Sequence, residues 1–310
     1  MNATAIFLLL ITMVLVGFPL AVHFGFRAPR IREQGAPDLY GLPYSEVWIP
    51  TENGKRLFAW FIPAINVDAA PAIAVLHGWG SNAEMMLPLA PPLHQAGYAL
   101  LFFDARNHGQ SDSDRFSSMP RFAEDMEHVL NWLTQQAHVD ASRLVVMGHS
   151  VGAGAALLVA SHRHDLAAAV SISAFAHPEN MMRRILAARH IPYFPLGRLV
   201  LHFVEFTIGR RFTDIAPRHT IRQVSCPVLL VHGSEDSIVP VADAREIYAQ
   251  RTGNHVHLLI LAGDHDASNE IERHAGKLVA FLDLAIGVVT PSFTPKATIR
   301  QLPPTLPEEL

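Results

Sequence analysis

The chain reads as an α/β domain: a mostly parallel sheet with helices on both faces, a helical cap, and an apolar N-terminal helix in front. Three observations predict this. Short apolar runs of strand length recur along the chain and each spills into a polar or glycine-bearing loop, while segments with helical spacing separate them. One junction, Gly148-His149-Ser150-Val151-Gly152, sets a serine between two glycines where an apolar strand gives way to an alanine-rich helix. With 310 residues the chain can bury one large core.

Taken from the N-terminus, residues 1–26 carry no formally charged side chain, and residues 3–22 alone would span about 30 Å as a helix. That crosses a bilayer. A cleaved signal peptide needs a basic n-region and a shorter apolar core, so a retained, single-pass membrane anchor is expected. Gly17 and Pro19 are tolerated in such a helix. Arg27, Arg30 and Arg32 follow directly, partly offset by Glu33, and the positive-inside rule then places the folded domain on the cytoplasmic side. An exported domain on a signal anchor stays open. Residues 27–43 read as a juxtamembrane linker, and the folded domain as 44–286.

Within that domain, residues 44–50 and 56–63 flank Asn53-Gly54 and predict an edge hairpin. Further strands are expected at 72–76, 99–103, 144–147, 168–173, 229–231 and 259–261, and helices at 83–95, 121–136, 153–160, 241–251 and 270–285. Residues 176–224, rich in Met, Leu, Phe and Arg with Pro192 and Pro195 interrupting, predict a helical cap. Such a cap sets Met181, Leu186, Phe194, Leu199, Phe203 and Phe206 over Ser150 as an acyl-binding wall or, as is more common for such a stripe, simply packs them as core. Its arginines, Arg183, Arg184, Arg210 and Arg211, admit instead a cap lying on a membrane surface. Residues 287–310 hold five prolines without periodicity and read as a disordered tail.

The serine junction carries the chemistry. A turn that sharp strains the serine backbone and leaves no room for side chains two positions away, so glycine is wanted at both. The following helix aims its unpaired N–H groups and positive dipole end at the same place, where an oxyanion would be favoured. Two later strand ends supply partners in the order serine, acid, histidine. Asp236, after the run ending Val231-His232-Gly233, is the candidate acid, with Glu235 as the second choice; His265, after Leu261-Ala262-Gly263-Asp264, is the candidate base. At the carboxyl ends of parallel strands such loops converge on one rim of the sheet.

These residues bring a family into view. The chain resembles the α/β-hydrolase superfamily, and within it the monoacylglycerol lipase-like, serine aminopeptidase-like and BEM46-like serine hydrolases. The resemblance spans roughly residues 44–286 and rests on the elbow at Ser150, on His77-Gly78-Trp79-Gly80, on Asp104-Ala105-Arg106-Asn107-His108-Gly109-Gln110-Ser111, and on His232-Gly233 with Asp236 and Val239-Pro240. It implies an eight-stranded sheet and catalysis by Ser150, His265 and Asp236, with the backbone N–H groups of Trp79 and Val151 as the oxyanion hole. It also implies that His77, His108 and His232 brace loops, as Asp104 orders one. The expected activity is cleavage of carboxylic esters, lipid or acylglycerol esters among them. Acyl transfer, thioesterase, peptidase or perhydrolase chemistry on the same triad is the alternative, or a silent membrane-tethered binding protein.

Several classes are disfavoured. Net charge is −4 and the basic residues are scattered, so no nucleic-acid partner is expected. The single cysteine, Cys226, precludes an intramolecular disulfide and reads as a small buried hydrophobe beside Pro227. Among 18 histidines there is no H-E-x-x-H arrangement, so no metal is expected, and no cofactor. Nothing in the sequence speaks to oligomeric state.

Overall fold

The computed structural model of the chain describes residues 7, 12–65, 69–266 and 273–287. The hairpin comes first: β1 (Ser45–Thr51) and β2 (Lys55–Ile62) pair antiparallel, with Asn53 and Gly54 both at positive φ in the turn between them. Then come β3 (Ala70–Leu76), β4 (Ala99–Phe103), β5 (Val139–His149), β6 (Leu166–Ile172), β7 (Val228–Gly233) and β8 (Val256–Leu261). They form one eight-stranded sheet in the order β1-β2-β4-β3-β5-β6-β7-β8. Every pairing from β4 onward is parallel.

The apolar runs are continuous because the central strands are covered on both faces. All seven residues of β3 are buried, as are all five of β4 and all six of β7. Alternate residues feed opposite cores: Leu57 and Ala59 join one, Phe58 and Trp60 the other. The first core is closed by α3 (Met119–Leu133), α4 (Val151–His162) and α7 (Val241–Ala249), the second by α2 (Ala90–Gln95) and α8 (Ala275–Ile286). Helix α3 starts two residues before the sequence expectation because the Ser118 hydroxyl accepts from the Arg121 N–H at 3.4 Å, with Pro120 in the first turn. The helix expected at 83–95 begins instead as a 3₁₀ segment, Ala83–Leu89, that carries Pro88.

Between β6 and β7 the chain folds into α5 (Pro178–Ala188), α6 (Arg198–Ile208) and two short turns, Phe212–Ile215 and Pro217–Thr220. This is the predicted insertion, but its apolar residues do not do what the sequence suggests. Met181 and Met182 pack on the domain core, Leu186 packs with Val200 under the N-terminal helix, and Phe194, Leu199 and Phe206 face outward. Leu and Phe at helical spacing pack more often than they line a pocket, and here Leu186 and Phe203 pack while Phe194, Leu199 and Phe206 stay on the surface.

The N-terminal segment also departs from expectation. Among the described residues no helix is long and apolar enough to cross a membrane; residues 1–6 and 8–11 of the expected span lie outside them. What is described is a π-helical segment, Met13–Gly17, running into α1 (Phe18–Gly25). Helix α1 lies on the cap: Val22 is buried with Leu186 and Val200, and the rings of Phe18 and Phe203 meet edge-on at 5.4 Å. Arg189 donates to the Gly25 carbonyl at 2.6 Å. Met13, Val14, Leu15 and Val16 stay exposed.

The stretch expected as a linker is a strap laid across the domain. Arg30 donates to the carbonyls of Asn107 and Ser111 at 3.1 and 2.9 Å, and the Gln34 N–H donates to Glu84 at 2.7 Å. Pro29 presses on Gly80, and Leu42 joins the second core. The expected helix at 270–285 is described from Ala275, and all of the expected tail but Gly287 lies outside the described residues.

Candidate active site

The site is assembled at the carboxyl ends of β5, β7 and β8. Strand β5 ends at His149 and α4 begins at Val151, which leaves Ser150 alone in the turn at φ 54°, ψ −114°. This is a strained conformation for any residue with a side chain. The flanking glycines are sterically required: a Cβ on Gly148 would overlap the Gly152 carbonyl, and one on Gly152 would overlap the His77 carbonyl of the neighbouring strand end. The Ser150 N–H donates to Ile172 at 2.8 Å and pins the turn to β6.

The three side chains singled out in the sequence meet here. The Ser150 hydroxyl lies 3.0 Å from His265 Nε2, and His265 Nδ1 lies 2.7 Å from Asp236 Oδ2. Because the carboxylate only accepts, Nδ1 carries the proton and Nε2 is free to accept from the serine. All three residues are buried. Glu235, the second candidate acid, is exposed.

Asp236 is held from both sides. Its Oδ1 accepts the N–H groups of Ile238 and Val239 at 2.9 and 2.7 Å, and His232 Nε2 stands 3.2 Å from its Oδ2. Burial alone would push its pKa up. The hydrogen bonds from His232, His265 and the Val239 amide, with the charge of His265, outweigh that and keep the carboxyl ionised, far below the usual carboxylate range.

Two supporting contacts are not legible in the sequence. His149 donates from Nε2 to the His265 carbonyl at 2.9 Å, and the Ser173 hydroxyl donates to the same oxygen at 3.3 Å. Burial first, then the nearness of His265, lowers the His149 pKa and favours a neutral ring. A hint existed in His149 lying inside the elbow, but nothing in the sequence points to a backbone carbonyl 116 residues away.

The turns behind the site are braced as the resemblance implies. His77 Nε2 accepts from the Ala105 N–H at 3.1 Å, so its Nδ1 donates to the Gly78 carbonyl at 2.7 Å. His108 donates to the Arg106 carbonyl at 3.0 Å, and burial pushes its pKa down to about 4. Asp104 accepts the N–H groups of Ala83 and Gln110, each at 2.8 Å. Gly109 fits there only without a Cβ, which would strike both the Asp104 and the Glu33 carboxyls. Burial, followed by hydrogen bonding with Glu33 and its charge, raises the Asp104 pKa well above the ordinary value.

Trp79 follows the His-Gly turn, and its ring stacks on Phe122 at 6.2 Å. Val151 occupies the first position of α4, where a helix supplies its N–H with no acceptor. Both residues flank the serine turn: Trp79 lines a cavity of about 260 Å³ that opens on Ser150. Ile31, Met85, Met86, Leu89 and Ile238 form its apolar wall, and no cap residue between 176 and 224 contributes. The wall is built by the N-terminal strap, the 3₁₀ segment after β3 and the loop after β7.

Among known proteins, a family model described as serine aminopeptidase, S33, matches residues 68–205. An uncharacterized protein of Mycobacterium tuberculosis (strain ATCC 25618 / H37Rv) is 31% identical over 205 residues, 66% of this chain and 66% of that protein. The alpha/beta hydrolase domain-containing protein WAV2 of Arabidopsis thaliana is 24% identical over 222 residues, 69% of this chain and 68% of that protein. Among solved structures, the esterase Pf2001 of Pyrococcus furiosus superposes with a TM-score of 0.68 at 24% identity, covering 84% of this chain and 98% of its own. Est1E from Butyrivibrio proteoclasticus gives 0.61 at 18% identity, over 77% of this chain and 99% of its own. On these matches the chain belongs to the α/β-hydrolase superfamily.

Proposed function

We propose that this protein is a serine hydrolase that cleaves carboxylic esters through an acyl-Ser150 intermediate. One observation carries the reading: an unbroken hydroxyl, imidazole and carboxylate chain at 3.0 and 2.7 Å, ending on a serine held in a strained turn. In this mechanism His265 Nε2 takes the Ser150 proton as Oγ attacks the acyl carbonyl. Asp236 keeps the imidazole in the accepting tautomer and stabilises the imidazolium. The N–H groups of Trp79 and Val151 hold the oxyanion, and His265 returns the proton to the leaving alcohol. Water then repeats the sequence and frees the acid.

A neutral His149 suits this cycle, since a second cation beside His265 would oppose the imidazolium. The cavity of about 260 Å³ and its apolar wall favour esters with a compact acyl group. Cap residues offer no support for a long acyl chain at Ser150. Attachment to a membrane through the apolar residues ahead of α1, with the hydrolase domain on the cytoplasmic side, rests on the uncharged run, on the exposed Met13, Val14, Leu15 and Val16, and on Arg27, Arg30 and Arg32.

The test is Ser150→Ala. The variant should stay folded, lose hydrolysis of p-nitrophenyl butyrate and lose fluorophosphonate labelling. Labelling retained by the variant would refute the assignment.

A further inference from the structure

A second and larger cavity, of about 1000 Å³, lies outside the catalytic pocket, between α1, α6 and the loop 107–117. That volume is at the top of the range, about 300–1,000 Å³, typical of ligand sites. Its lining divides by chemistry: the helices α1 and α6 contribute Leu20, Phe24, Phe203, Val204 and Ile208, and the strap and the loop 107–117 contribute Arg27, Arg30 and Arg115.

No carboxylate is paired directly with these three guanidinium groups among the described residues. Among the described residues no carboxylate, carbonyl or hydroxyl pairs with the guanidinium of Arg27 or Arg115. Arg30 donates only to two neutral carbonyls, those of Asn107 and Ser111. Burial first, then the nearness of Arg32 and Arg27, lowers the Arg30 pKa against the opposing pull of the Asp104 and Asp112 carboxyls. One acid does line the cavity, but Asp114 is already engaged by Arg106 at 3.1 Å, Arg121 at 3.0 Å and the Asn53 amide at 3.0 Å.

Apolar walls beside guanidinium groups with no directly paired carboxylate match a molecule with a hydrocarbon tail and an anionic head, which planar guanidinium recognises in bidentate fashion. We propose that this cavity binds one long-chain carboxylate, with its head on Arg27 and Arg115 and its tail between α1 and α6. The site is distinct from the ester pocket. The two cavities share only the strap as a wall: Pro29 and Arg30 line the larger one, and Ile31 lines the pocket at Ser150. Binding there needs no chemistry at Ser150, so the proposal stands or falls apart from the esterase assignment.

The experiment uses the full chain in phosphatidylcholine nanodiscs, labelled with a diazirine-bearing tetradecanoate and mapped by mass spectrometry. Crosslinks are expected within residues 19–28 and 203–208, competed by tetradecanoate and not by tetradecanol. They should persist after a fluorophosphonate has blocked Ser150. The double variant Arg27→Gln, Arg115→Gln should weaken competition by tetradecanoate roughly tenfold, the scale of a lost charge-assisted hydrogen bond. Thr207→Trp, at an exposed position on the cavity wall, should abolish the crosslinks without disturbing the core. Crosslinks confined to Met85 and Met86 and lost on blocking Ser150 would overturn the proposal, as would equal competition by tetradecanol or an unchanged double variant. Tenfold tighter competition by tetradecyl phosphate would overturn the choice of a carboxylate head.

Discussion

Replacing Asp236 by Asn changes one oxygen into an NH₂ group, and the surroundings dictate which one. Oδ1 accepts the N–H groups of Ile238 and Val239 at 2.9 and 2.7 Å, and those amides can only donate. The asparagine oxygen must therefore stay with them, and its NH₂ must face His265 Nδ1, now 2.7 Å from a carboxylate oxygen. Two donors would point at each other. His265 relieves this by moving its proton to Nε2, so Nδ1 accepts and Nε2 can no longer take the proton of Ser150. The geometry survives but the tautomer is wrong. In triads of this kind that exchange lowers kcat about 10⁴-fold, or about 5.5 kcal/mol in activation free energy. Steady-state hydrolysis of p-nitrophenyl butyrate should show this loss with KM changed less than about threefold, and fluorophosphonate labelling should slow in parallel. The melting temperature should fall little, since both backbone hydrogen bonds remain. A variant within tenfold of the parent kcat would refute the assignment of Asp236 as the group that sets the His265 tautomer.

Two other consequences concern the strap and the N-terminus. The raised pKa of Asp104 means that the folded chain binds a proton more tightly than the unfolded one, so stability is full below the ordinary carboxylate range and falls as pH rises toward the raised value. Burial is the larger cause and survives in Glu33→Gln, so this variant should flatten the fall without removing it, raising Tm at pH 8 by roughly 2–4 °C. An unchanged Tm across pH 5–9 in both proteins would contradict the Glu33 and Asp104 pairing. For the membrane assignment, protease added to sealed inside-out vesicles should cut at the C-terminal tail near Gln301, whereas cutting only from the outer face of the cell would reverse the orientation.

What the sequence revealed and what it hid follow from where each residue acts. The buried strands were legible because a sheet covered on both faces needs uninterrupted apolar runs, as in β3 and β4. Ser150, Asp236 and His265 were legible because each follows such a run in a loop of unusual composition, so parallel strand geometry alone brings them to one rim. The cap and N-terminus were not. Leu186, Phe203 and Val22 are apolar whether they face substrate, lipid or one another, and only the structure pairs α1 with α5 and α6. The ester pocket was missed for a related reason: Ile31 belongs to a stretch read as linker, and Met85 and Met86 to a segment read as an ordinary helix. His149 and Ser173 act on a backbone carbonyl, and His232 on the carboxylate oxygen that also holds His265, and no spacing rule points to such partners.

The central claim is that the Ser150 oxygen carries the acyl group during turnover. Mass spectrometry of protein quenched within one turnover of p-nitrophenyl butyrate tests it most directly. A butyryl adduct on the peptide carrying Ser150, absent in Ser150→Ala and in His265→Ala, which cannot take the Ser150 proton, is the predicted result. Turnover that proceeds with no adduct on Ser150, or with the acyl group on another side chain, would contradict it.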